Sequence, residues 1–190
     1  MKKHSKNIKL VYIVYVLILL YLITGLTSER YYKSYPTLKL YPNNLRELEK
    51  VKQYIYERNS EMYEFIKLTD RSCSYAFLKY VDEDIVTLDK ISQSINPLIH
   101  LFKYIFNRER PFNIDPTIDN YKSITANGPA FPSGHSAQAY YLAKILSKKY
   151  PEKKELLYKT AEKCGKARIY AGLHYPSDYE FGKFIVNSLP

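Results

Sequence analysis

The sequence predicts an all-α fold: a helical bundle with its active site at helix ends, preceded by one N-terminal apolar helix. Three observations predict it. Apolar residues recur in steps of three and four, as at Leu45, Leu48, Val51 and Ile55, which is the period of a helix face. Prolines punctuate the chain where helices begin or stop, at Pro97, Pro111, Pro151 and Pro176. No stretch of useful length alternates apolar and polar residues as a half-buried strand does, and there is no internal repeat.

The bounds are simple. A length of 190 residues suits one domain with a real core. The formal net charge is +10, from 29 Lys and Arg against 19 Asp and Glu. Four of those charges, Lys2, Lys3, Lys6 and Lys9, lie in the first nine residues, and the remainder still carries +6. Such an excess favours anionic substrates and anionic membrane surfaces. It would equally suit nucleic acid, but no nucleic-acid motif is present, so nucleic acid is not an expected partner. Cys73 and Cys164 can pair outside the cytosol or remain buried thiols. The oligomeric state is not legible.

Taken in order, residues 1–26 read as a membrane anchor or signal segment. A lysine-rich start precedes Leu10 to Leu26, 17 residues without a charge. That length lies between a signal-peptide core and a spanning helix. Bulky Tyr12, Tyr15 and Tyr21 and Leu26 disfavour cleavage, so the expectation is an uncleaved single-pass anchor through residues 10–26. Its lysines stay cytoplasmic, and residues 27–190, the second domain, lie on the non-cytoplasmic side. Cleavage would instead make the protein secreted.

Residues 27–43 read as an extended connector, and Asn44 as the cap of the next helix. Short helices are expected over 61–68 and 72–81. A longer one runs from about Ile85 to Phe106, split or kinked at Pro97. Residues 111–132, with four prolines, read as a long irregular loop walling a pocket. Helices follow at about 134–149, 152–171 and 177–188.

Three segments carry candidate chemistry. Pro132-Ser133-Gly134-His135 opens a helix, so unpaired backbone N–H groups and a partial positive charge lie there. The glycine permits close approach of an anion, and His135 adds a group that exchanges protons near neutral pH. Lys103 and Arg110 are seven residues apart, within ~20° of two full helical turns, so one face can carry both cations. Arg168 offers a planar fork to phosphate. His174 is a candidate nucleophile, and Asp178, in the first turn after Pro176, is the nearest group to orient its ring. Each segment alone has a bland alternative: a capped surface helix, a solvated basic helix end, a helix-start aspartate.

In combination they resemble the type-2 phosphatidic acid phosphatase and vanadium haloperoxidase superfamily. That pattern is Lys, six residues, Arg-Pro; then Pro-Ser-Gly-His; then Ser-Arg, five residues, His, three residues, Asp. Lys103 to Arg110-Pro111, Pro132 to His135, and Arg168, His174 and Asp178 fit every spacing. Ala167 departs, standing where the pattern has serine, and so removes one hydroxyl from near the phosphate. With a single apolar segment and a His174-x-x-Ser177-Asp178 ending, the chain is most similar to the class A nonspecific acid phosphatase branch.

The resemblance implies roles. Lys103, Arg110 and Arg168, with the N–H groups of Ser133 and Gly134, hold the phosphoryl oxygens. His174 attacks phosphorus, Asp178 fixes its tautomer, and His135 protonates the leaving oxygen and then activates water. No metal and no cofactor is needed. The expected activity is phosphomonoester hydrolysis through a phosphohistidine, on a phosphorylated small molecule or a lipid. A lipid or polyprenyl phosphate phosphatase is the alternative. A vanadate-dependent haloperoxidase and an inactive tethered module stand further off.

Overall fold

A computed structural model of the chain describes residues 39–190. The expected anchor at 10–26 lies outside the described residues. Among the described residues every regular element is helical, and no helix is long and apolar enough to cross a membrane.

Helix α1 spans Asn44–Tyr56. Its cap is Asn43, one residue before the expected one, whose Oδ1 accepts from Leu45 N at 2.9 Å. Asn44 is freed for a different contact, described below. Helix α2 is Ser60–Thr69, capped by Asn59. The helix expected over 72–81 is only a single 3-10 turn, Cys73–Ala76, because the Ser72 hydroxyl accepts from Ser74 N and the chain then turns away. The expected Ile85–Phe106 helix splits. Helix α3 is Ile85–Gln93 and α4 is Asn96–Phe106, with Pro97 in the first turn of α4, where its missing N–H costs nothing. A short helix α5, Pro111–Ile114, interrupts the stretch expected to be irregular. Then come α6 (Gly134–Lys149), a 3-10 turn at Pro151–Lys153, α7 (Lys154–Tyr170) and α8 (Pro176–Asn187).

Helix α6 is the centre. It packs along α7 and α8, with α3 and α4 also against it. Ala137, Ala139, Leu142, Ala143 and Leu146 are buried around its circumference, which small residues allow because neighbouring backbones can approach closely. At Gly165 of α7 a Cβ would lie 2.4 Å from the Tyr179 ring, and at Gly182 of α8 it would lie 2.8 Å from the Ser133 carbonyl. These two glycines let α7 and α8 close on the start of α6. Cys73 and Cys164 are free buried thiols, not a disulfide, and burial pushes the Cys73 pKa up to about 12.

Candidate active site

The three sequence segments meet where α6 and α8 begin and α7 ends. Ser133 caps α6, its Oγ accepting from Ser136 N at 3.4 Å. Its own N–H, expected to meet phosphate, donates instead to the Asp178 main-chain carbonyl at 3.0 Å. That bond ties the start of α6 to α8. The remaining first-turn donors are the N–H groups of Gly134 and His135, which have no carbonyl four residues back within the helix.

Lys103 and Arg110 do not share one helix face, as the spacing had suggested. Asn107 takes the left-handed conformation (φ 43°) and ends α4 three residues before Arg110. Asparagine tolerates that conformation, and its N–H closes on Lys103 O at 2.8 Å. Arg110 therefore sits in extended backbone before α5. Its guanidinium donates to Gly128 O (2.8 Å), Leu173 O (2.9 Å) and His174 Nε2 (3.2 Å). Lys103 Nζ donates to Pro129 O. Burial first, and then Arg110, pull the Lys103 pKa well below the lysine range.

Arg168 is fully buried in the last turn of α7. Nη1 pairs with Asp70 Oδ1 at 2.9 Å, and Nη2 donates to Ser123 Oγ (2.9 Å) and Thr125 Oγ1 (3.2 Å). Its Nε–H has no partner among the described residues. A buried donor left unmet is what an incoming anion satisfies. Burial acts to raise the Asp70 pKa, but the Ser123 hydroxyl and Arg168 outweigh it and hold the carboxyl below its ordinary value. Ala167 is buried beside Ile66, Ala171 and Leu173, an apolar setting. The hydroxyls on Arg168 come from Ser123 and Thr125 instead.

The two histidines are fixed in different ways. His174 Nε2 faces an arginine N–H, and arginine only donates, so Nε2 is the bare nitrogen. The proton is then on Nδ1 and is donated to Asp178 Oδ2 at 3.1 Å. Burial first, followed by Arg110, Lys103 and Arg168, holds the His174 pKa well below the usual value. His135 is the reverse: Nε2 lies 3.1 Å from Thr69 O and 3.0 Å from Asp70 O, two acceptors, so Nε2 carries the proton and Nδ1 is bare. Burial, with Arg168 nearby, pulls its pKa down to about 3.

Asp178 is fully buried at the third position of α8 and accepts from three donors: His174, Tyr175 N (2.8 Å) and Arg108 Nη1 (2.7 Å). Burial pushes its pKa up; Arg108 and the Tyr175 N–H oppose that. Arg108 escaped the sequence reading, as did Glu47, Asp70, Ser123 and Thr125. Nothing local marks them, since a charge beside a helix end usually reads as solvated.

Three basic side chains, an unmet guanidinium N–H and two oppositely protonated histidines thus converge at the start of α6, an arrangement chemically suited to a tetrahedral oxyanion. Residues 91–186, half of the chain, match the PAP2 superfamily, and the chain belongs to it. Within that class it is similar to a non-specific acid phosphatase of Salmonella typhimurium (strain LT2), 32% identical over 89 residues. A non-specific acid phosphatase of Salmonella typhi is 29% identical over 86 residues. The matched part covers 44% of this chain and spans 34% of each relative.

Proposed function

We propose that the chain is a phosphomonoester hydrolase, acid phosphatase-like, that works without a metal through a phosphohistidine on His174. The observation that carries this is the His174 ring: its proton is held by Asp178, and its bare Nε2 is turned to Arg110 within the cation cage. A nucleophile needs its lone pair at the oxyanion site and a fixed tautomer, and both are met.

Lys103, Arg110 and Arg168 bind the three non-bridging oxygens, with Gly134 N–H at the helix start. Their internal acceptors, Pro129 O, Gly128 O and Asp70, hold them in place until the anion arrives. The His174 Nε2 lone pair forms the N–P bond as the P–O bond to the leaving group breaks. The ring becomes positive, and Asp178 offsets that charge. The departing oxygen takes a proton from Nδ1 of protonated His135. Neutral His135 then takes a proton from water at the same nitrogen as the water oxygen attacks phosphorus and the N–P bond breaks. Burial first, and then Arg168, make His135 resist protonation, with a pKa of about 3. Phosphate cancels the Arg168 field and lifts it, so turnover of poor leaving groups is favoured by acid.

Residues 27–190 form the catalytic domain of this proposal. The apolar 10–26 segment supports a membrane tether and favours one alternative substrate, a lipid or polyprenyl phosphate. A detergent assay comparing phosphatidate with a soluble phosphomonoester separates the two readings. The metal question has its own test. Turnover of p-nitrophenyl phosphate should survive excess chelator, and vanadate should inhibit it competitively. Loss on chelation, restored by Mg²⁺ or Zn²⁺, would overturn the cation-cage mechanism.

A further inference from the structure

We propose that Arg108 is a positioning residue for the His174–Asp178 pair, and that Glu47 of α1 supplies the charge that balances this cluster when the His174 ring turns positive. The proposal rests on the phosphohistidine reading above.

All five N–H donors of Arg108 are met. Nε donates to Asn44 Oδ1 at 2.9 Å. Nη1 donates to Ser177 Oγ and Asp178 Oδ1, both at 2.7 Å. Nη2 donates to Pro42 O at 3.2 Å and Glu47 Oε2 at 2.8 Å. The guanidinium lies 3.8 Å from the Tyr175 ring centroid and is fully buried. A planar fork with every donor engaged has one allowed position. Arg108 therefore fixes Asp178 Oδ1, and through the rigid carboxylate it fixes Oδ2, the atom that holds His174 Nδ1–H.

Glu47 closes the network from the other side. It is 6% exposed, accepts from Ser177 N at 3.0 Å and from the Ser177 hydroxyl, and pairs with Arg108. Arg108, Asp178 and Glu47 together carry one net negative charge beside a neutral His174. When Nε2 bonds to phosphorus the ring gains one positive charge, and the four-group cluster becomes neutral. In a buried setting an unbalanced charge is costly, so a cluster balanced in the intermediate favours the chemical step. Ground-state phosphate binding gains nothing from it, because Arg108 has no donor left for a phosphate oxygen. A mere structural bolt between α1 and α8 would show no such selectivity.

The test uses the full chain with Glu47→Gln, Arg108→Lys and Arg108→Met. The readouts are kcat on p-nitrophenyl phosphate, the inhibition constant of inorganic phosphate, and the far-downfield proton resonance of His174 Nδ1–H, assigned by its loss in His174→Ala. Glu47→Gln should lower kcat about 10- to 100-fold, the scale of a misplaced reacting group. It should leave inhibition by inorganic phosphate within about threefold and shift the resonance. Arg108→Lys, which keeps the charge but not the fork, should retain more kcat than Arg108→Met. If Arg108→Met does not fold, Glu47→Gln and Arg108→Lys decide. The proposal is overturned if both fold with kcat within about threefold and the resonance unmoved, or if affinity for inorganic phosphate falls in step with kcat. Phosphate release by His174→Ala would instead sink the underlying mechanism. The resonance, read without substrate, would still report on Arg108.

Discussion

His135 and His174 are both neutral in the fold, and that has a consequence for stability. Their folded pKa values are lowered, His135 to about 3, whereas an unfolded histidine titrates near its ordinary 6.5. Below pH 6.5 the unfolded chain takes up protons that the folded chain refuses. The contribution is therefore fully present above about pH 6.5 and is lost as pH falls from there towards 3. For His135 the loss at pH 5 is about 2 kcal/mol, and His174 acts in the same direction. Urea unfolding at pH 7 and pH 5 should show the wild type losing more stability than His135→Gln does; equal losses would contradict the assignment. At this scale the sequence was informative about residue types and uninformative about their supports. Lys103, Arg110, Arg168, His174 and Asp178 stand at fixed spacings, so they were legible. Asp70 and Ser123 reach Arg168 from 98 and 45 residues away, and no local pattern encodes that. The partner of the Ser133 N–H was not legible for a similar reason, because its acceptor, Asp178 O, belongs to another helix.

Between elements, the start of α6 is held by close contact with α8. A Cβ on Gly182 would meet Ser133 O at 2.8 Å, Ser136 Cβ at 3.0 Å and Ala137 N at 3.1 Å, mostly backbone that cannot step aside. Gly182→Ala should therefore push α8 away, at about 1–3 kcal/mol, the usual cost of overpacking. For a chain of this size that is a Tm lower by about 2–4 °C per kcal/mol. Because Ser133 N bonds to Asp178 O across the same contact, kcat should fall as well. Calorimetry and a steady-state assay on one sample check both; an unchanged Tm would show that the helices have room. Helix existence was legible from periodicity and proline, as for α6, α7 and α8. Helix ends were not. Asn107 stopped α4 early by adopting a left-handed conformation, and the 72–81 segment yielded to the Ser72 side-chain turn. Both are local hydrogen-bond choices that compete with helix and leave no periodic trace.

For the whole molecule, the site draws on segments from Pro42 to Asp178, so the fold must close before the chemistry exists. All-α architecture and the meeting of three motifs were readable in advance; the loop from Ser123 to Pro129, whose hydroxyls and carbonyls hold all three cations, was readable as an irregular pocket wall but not in its contacts. The proposed orientation follows from Lys2, Lys3, Lys6 and Lys9 before the apolar 10–26 segment. A reporter that works only in the cytoplasm, fused after Pro190, should be silent, and a strong signal would reverse the topology.

The central claim is that His174 becomes covalently phosphorylated and that His135 moves the protons. Rapid-quench assays on His135→Ala and His174→Ala, with p-nitrophenyl phosphate and an alkyl phosphate, test it most directly. In His135→Ala the good leaving group needs little proton help, so a phosphoenzyme should form on p-nitrophenyl phosphate. It should then accumulate, because water has lost its base, and it should be labile in acid and stable in alkali. The alkyl phosphate should react about 10²–10⁴-fold more slowly with this variant, the usual worth of general acid catalysis. His174→Ala should form no covalent species on either substrate. A phosphoenzyme in His174→Ala, with none in His135→Ala, would contradict the account.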